Sequence, residues 1–200
     1  DGQGVFVYEE QDSRIFKGKA SVINGEFSFE FVVPKDISYS FGKGKIQYYV
    51  ENGALDGNGN STDFIIGGTD PNALSDDEGP EIELFMNNRD FVYGGITSNN
   101  PTLLVDLFDE LGINTVGNGI GHDLVAILDD NTEDALILND FYESVENDFQ
   151  KGIVRYSLKG LSEGKHTLTF KAWDVANNSS EKTIEFVVLE EREIQVQNLL

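Results

Sequence analysis

Apolar and polar residues alternate with a period of two in short runs along most of this chain, which is the pattern of half-buried strands. The clearest run is Leu168, Phe170 and Ala172 set against Thr167, Thr169 and Lys171. A polar turn at 174–178 follows, and then Ile184, Phe186 and Val188 alternate with Thr183, Glu185 and Val187. Two such runs around a short polar turn predict an antiparallel hairpin. Upstream, strands are expected at Ile82, Leu84 and Met86, at Leu103, Val105 and Leu107, at Leu124, Ala126 and Leu128, over 135–138 and over 153–158. Residues 140–149 have room for a turn of helix, and no stretch has a sustained helical period. About seven short strands separated by turn signals predict a small β-sandwich.

The first third is patterned in the same way. Residues 5–9 and 14–23 read as strands, and Asn24-Gly25 then separates two alternating stretches. That dipeptide is a strong hairpin signal, because both central positions of a two-residue turn need positive φ. The return strand presents Phe27, Phe29, Phe31 and Val33 on one face and ends at Pro34, which cannot donate to a ladder. Residues 39–44 read as a loop, 45–50 as a strand closed by a second Asn-Gly at Asn52-Gly53, and Phe64 with Ile66 as a last strand. Gly67 to Pro80 is rich in Gly, Asp, Ser, Asn and Pro and reads as a linker. The expected fold is therefore all-β, with two immunoglobulin-like antiparallel sandwich units. Residues 1–69 form a partial unit short of strands, 70–80 the linker, 81–190 the fuller unit and 191–200 a tail. Asp1 falls in mid-pattern, as expected of a fragment of a longer protein.

Composition narrows the function. The 200 residues hold 14 Lys plus Arg and 36 Asp plus Glu, a formal charge of −22. Such a chain repels nucleic acid and anionic lipid, so neither is an expected partner. Acidic loops are usually only solvated, as suits a surface or secreted protein. There is no cysteine, which excludes a disulfide, a thiolate metal site and a cysteine nucleophile within these residues. The two histidines, His122 and His166, fall on different predicted elements and do not supply a zinc set.

Candidate chemistry is sparse. His122 and Asp123 are adjacent, but neighbours on a strand point to opposite faces, so a structural hydrogen bond is expected rather than a dyad. Asp56, Asn58 and Asn60 match the first alternate ligand positions of a calcium loop, and calcium is the one cofactor the sequence offers. Ser61 and Gly67 stand where such a loop needs its glycine and its bidentate glutamate, so a plain Gly-Asn hairpin loop is the preferred reading. Further acidic clusters occur at Asp76-Asp77-Glu78 and Asp129-Asp130. Phe41, Tyr48, Tyr49, Tyr142 and Trp173 would stack on sugars if exposed, with packing the expected fate of Trp173.

The string G-x-H-T-L-T-x-x-A-x-D-x-A-x-N at 164–178 resembles the last strands of bacterial surface immunoglobulin-like domains. The strings FKGKASVINGEFSFEFVVPKDISYSFGKGKIQYYV at 16–50, DELGINTVGNGIGHDLVAILDD at 109–130 and LNDFYESVENDFQKGIVRYSL at 138–158 together resemble the C-terminal region of PorU-type sortases. These are the gingipain-family sortases of the type IX secretion system of Bacteroidota. The resemblance covers nearly the whole chain, with G-I-N-x-x-G-x-G-I-G-H-D its most specific part. It implies a parent cysteine peptidase at the outer-membrane surface that cleaves C-terminal signals from secreted cargo. The catalytic Cys and His would lie in an upstream domain, so no catalytic residue carries over and this fragment is expected not to be an enzyme. The residues here would space the peptidase and sorting domains and contact secretion partners or cargo. The alternative is a carbohydrate-binding or adhesin module on the same fold.

Overall fold

A computed structural model describes residues 14–37, 41–116 and 121–189. The expected strand over 5–9 and the tail at 191–200 lie outside the described residues. The fold is all-β, and among the described residues no helix is long and apolar enough to cross a membrane.

Strands β1 (Gly42–Lys43), β2 (Ile46–Glu51), β3 (Asp56–Ser61) and β4 (Ile65–Ile66) belong to the first unit. Strands β5 (Glu81–Met86), β6 (Ile96–Thr97), β7 (Thr102–Phe108), β8 (Val125–Leu128), β9 (Leu136–Ile137), β10 (Tyr142–Val145), β11 (Asp148–Ser157), β12 (Gly164–Trp173) and β13 (Ser179–Val188) build the second. One sheet runs β10-β11-β7-β5 and the other β6-β13-β12-β8-β9, antiparallel throughout except that β6 lies parallel to β13. The alternation read from sequence sets the inner faces. Leu168, Phe170, Ala172, Ile184, Phe186 and Val188 from one sheet meet Ile82, Leu84, Met86, Leu103, Val105 and Val154 from the other. Phe170 and Phe186 are the largest fully buried side chains. Each such side chain contributes about 1.5–3 kcal/mol on leaving water, which makes this core the main term set against the chain entropy lost on folding.

The β12–β13 hairpin has the predicted register, Leu168 facing Ile184 and Trp173 facing Ser179. The helical turn allowed for at 140–149 is a single 3-10 turn, Asn139–Phe141. β10 follows it, then a turn in which Asn147 has φ 59, and β11 returns. Gly152 on β11 faces the Tyr142 ring, which occupies the space a Cβ would need. A tyrosine 4% exposed and a bare backbone thus fill one site together.

The first unit is smaller. Asn24 (φ 54) and Gly25 (φ 85) form the expected two-residue turn, with Ile23 and Glu26 exchanging both backbone hydrogen bonds at 2.9 and 3.0 Å. Beyond that pair the two arms have no backbone ladder among the described residues. They are joined by rings instead: Phe16 stacks on Phe31 at 4.5 Å, and Phe27, Phe29 and Phe31 follow at 6.2–6.3 Å. Phe27 and Phe29 stay 44% and 43% exposed, so the face meant for an interior is half open. Among the described residues β2 pairs only with β3, and β1 only with β4.

Candidate functional site

One pole of the sandwich gathers Asp109, Asn114 and Asp174, half of the buried polar residues among those described. Three segments meet there: the loop after β7, the β12–β13 turn and the end of the linker. Asp109 leaves β7, and its Oδ1 accepts from the backbone N–H groups of Leu111 and Gly112 at 2.8 and 2.9 Å. Gly112 has φ 106, the left-handed side of the map that a glycine tolerates. Asp174 closes the β12–β13 turn: Oδ1 accepts from the Asn178 backbone N–H and Oδ2 from the Asn178 side-chain amide, both at 2.7 Å. Asn177 takes φ 72 to let the chain reverse. The same Asn178 amide donates to the Asp76 carbonyl at 3.1 Å, and Gly79 packs so closely on Ser179 that a Cβ would strike its backbone. The linker is therefore docked at its 76–80 end.

These contacts bring carboxylate oxygens of Asp76, Asp109 and Asp174 within 4.8 Å of one another, with Asp109 and Asp174 buried. Burial, and then the nearby charges of Asp174 and Asp76, push the Asp109 carboxyl up to about 6. Asp174 is raised as well, chiefly by burial, although the Asn178 donors oppose the shift. Three crowded carboxylates can share a proton or face a hard cation. As a calcium set they supply three oxygens where the ion takes six to eight.

A second group lies beside the first. Asp36, at the end of the first hairpin, accepts from His122 Nδ1 at 2.6 Å and from the Asn114 amide at 2.9 Å. Burial works against its charge, but the donors His122, Asn114 and Asn177 outweigh it and hold the carboxyl below its ordinary value. The His122 ring packs on Trp173 at 4.2 Å, and Lys171 Nζ lies 5.0 Å from the Trp173 centroid. His122 thus pairs with a residue far away in sequence rather than with its neighbour Asp123, and Trp173 is packed rather than offered to a sugar.

A third group has the residue types of a hydrolytic triad. His166 Nδ1 lies 2.7 Å from Asp129 Oδ2, and Ser162 Oγ lies 3.4 Å from His166 Nε2. Nε2 is nearer the Ser162 backbone carbonyl, at 2.9 Å. A carbonyl can only accept, so Nε2 carries its proton toward it and has no lone pair with which to activate the hydroxyl. With a carboxylate on one nitrogen and a carbonyl on the other, the surroundings favour the protonated ring. Burial opposes that charge, but the Ser162 carbonyl and Asp129 raise the pKa. The group acts as a brace between the end of β8 and the start of β12.

The stretch expected to be a Gly-Asn hairpin loop requires a correction in geometry. Asp56, Asn58 and Asn60 lie on strand β3, not in a loop, and all three point to its exposed face. Extended backbone spaces alternate residues about 6.5–7 Å apart, which straightens what a calcium loop must curl. The glycines explain the strand. Gly59 faces Tyr48 across the ladder, where a Cβ would lie 2.5 Å from the ring, and Gly57 faces Val50. The β2 side chains fold over bare backbone, and the turn is made by Asn52, whose Oδ1 accepts from Ala54 and Leu55. Among the candidate sugar platforms Tyr142 is buried, while Phe41, Tyr48 and Tyr49 remain exposed. Sequence reasoning missed the Asp76–Asp109–Asp174 and Asp129–His166–Ser162 groups. The sequence marked Asp76 and Asp129 as members of acidic loop clusters, but nothing local joined them to Asp109 and Asp174 or to His166 and Ser162.

No family model and no curated protein matches the chain. Among solved structures it is similar to PorU from Porphyromonas gingivalis, in a crystal structure of dimeric latent PorU, with 30% identity and a TM-score of 0.57. The match covers 84% of this chain and 16% of that one, so these residues span about a sixth of the PorU chain. The PorU likeness read from the sequence is thus also present in the fold.

Proposed function

We propose that this chain is a non-catalytic β-sandwich region of a PorU-type sortase of the type IX secretion system. It would space the catalytic and sorting domains of its parent at the outer cell surface and dock secretion partners or cargo. The observation that carries this reading is the PorU likeness at 30% identity over 84% of the chain. The absence of cysteine agrees with it, since the gingipain-family nucleophile would lie elsewhere in the parent. The bracing geometry of His166 and the pairing of His122 with Asp36 give both histidines structural work. Within this reading, residues 1–69 are a unit completed by strands from another part of the parent, and 70–80 tether it to the sandwich of 81–190.

The competing adhesin reading would use Phe41, Tyr48 and Tyr49, the candidate sugar platforms that stay exposed. Tyr48 lies 5.7 Å from Phe27 and over the bare backbone of Gly59, which leaves Phe41 and Tyr49 as the open rings a sugar would need. The test incubates the purified chain with sorting-signal peptides and applies it to a glycan array. No turnover and no glycan retention are expected. Turnover abolished by His166→Ala or His122→Ala, or retention on glycans lost with Tyr49→Ala, would overturn the proposal.

A further inference from the structure

The first hairpin touches the sandwich along both of its arms, and the two contacts differ in kind. The 14–23 arm lies on the β10–β11 turn. There Lys19 N–H donates to Ser144 Oγ at 3.1 Å, Asn147 N–H donates to the Lys19 carbonyl at 2.9 Å, and Lys19 Nζ pairs with Glu143 at 2.5 Å. The Lys19–Glu143 pair is exposed, and exposed ion pairs contribute little. The 32–36 arm is anchored more deeply. Val32 packs on Leu111, Val175 and Ala176, Lys35 N–H donates to the Val175 carbonyl at 2.9 Å, and Lys35 Nζ donates to the Ala176 carbonyl at 2.9 Å. At its end the Asp36 side chain is only 8% exposed and takes donors from His122 and Asn114 of the β7–β8 connection, with Asn177 of the β12–β13 turn also favouring its charge. A buried carboxylate met by several donors is worth far more than an exposed pair, and its loss leaves those donors without an acceptor.

We infer that Asp36 is a positioning residue that locks the 14–37 hairpin onto the pole of the sandwich, so that hairpin and sandwich move as one rigid body. A Gly- and Asp-rich linker ordinarily implies mobile units. Here the chain is tied across the junction on the far side of that linker, and the linker itself docks through Asp76 and Gly79. The inference does not depend on the PorU reading, because it rests on contacts within this chain.

The natural chain has no cysteine, so two can be introduced cleanly for spin labels. Glu30→Cys on the hairpin and Lys159→Cys on the sandwich are both exposed positions. The inter-label distance in the otherwise native chain should be a single narrow distribution. Asp36→Ala should broaden it, and so should His122→Phe, which removes the Nδ1 donor while keeping a ring against Trp173. The second variant leaves the hairpin's own residues untouched, so it separates unlocking from hairpin unfolding. The Lys35 amide should exchange roughly tenfold faster or more in both variants, as expected when a buried acceptor or donor is lost. A broad distribution in the native chain would overturn the inference. So would a narrow one in both variants, or broadening in Asp36→Ala alone.

Discussion

Asp109 and His166 are charged groups whose folded environments act on stability in the same direction. The Asp109 carboxyl is raised from 3.8 to about 6, so its ionisation is a cost that is fully present above pH 6 and relieved as pH falls through 6. The His166 imidazolium is favoured by folding, so its contribution is present below 6.5 and is lost as pH rises through the higher folded value. Stability should therefore be greater near pH 5.5 than near pH 8. The Asp109 part is on the order of 2–3 kcal/mol in full, since each tenfold change in proton affinity is worth about 1.4 kcal/mol, but it is released mainly between about pH 6 and pH 4, so only about 1 kcal/mol of it separates pH 5.5 from pH 8. Asp109→Asn keeps an acceptor for Leu111 and Gly112 and removes the titration. Urea midpoints taken across this range should flatten between pH 4 and 7 in that variant. An unaltered slope would mean that Asp109 is not the group that titrates.

At the scale of elements, much was legible in advance because strand alternation is local. The β12–β13 hairpin, the inward set of β5 and β7, and the Asn24-Gly25 turn all follow from runs of fewer than a dozen residues. What was not legible is long-range. Nothing near Asp36 announces His122, and nothing near Asp76 announces Asp174, because the chain must fold before either pair exists. Residues 56–60 were misplaced for another reason. Glycines and asparagines are loop formers by propensity, but opposite Tyr48 and Val50 they make the strand that lets those side chains lie flat. Two glycine substitutions test the elements directly. Gly25→Val puts a β-branched residue at φ 85 and should cost about 1–3 kcal/mol. Gly152→Ala drives a methyl into the Tyr142 ring and should cost a similar amount, about 1–3 kcal/mol, by overpacking. An unchanged denaturation midpoint in either variant would count against the corresponding turn or packing.

For the whole molecule, two sheets pack face to face over 81–188, whereas 14–66 hold among the described residues only two two-stranded pairs and the Asn24-Gly25 turn. Residues 27–33 carry half-exposed phenylalanines and have no backbone ladder among the described residues. An open edge of this kind invites a further strand. In the intact parent, amides of 27–33 should exchange more slowly than in residues 1–200 alone, while those of β7, β11 and β12 should be the same in both. Equal protection at 27–33 would show that the short unit needs nothing more. The central claim, that this region serves the sortase by docking and spacing rather than by chemistry, is tested most directly in the parent. There the residues corresponding to 14–189 are replaced by an unrelated β-sandwich pair of similar length. Cargo attachment at the cell surface is then measured alongside cleavage of a soluble sorting-signal peptide by the purified enzyme. The account predicts that peptide cleavage is retained and attachment is lost; attachment at the native level, or loss of cleavage by the correctly folded enzyme, would contradict it.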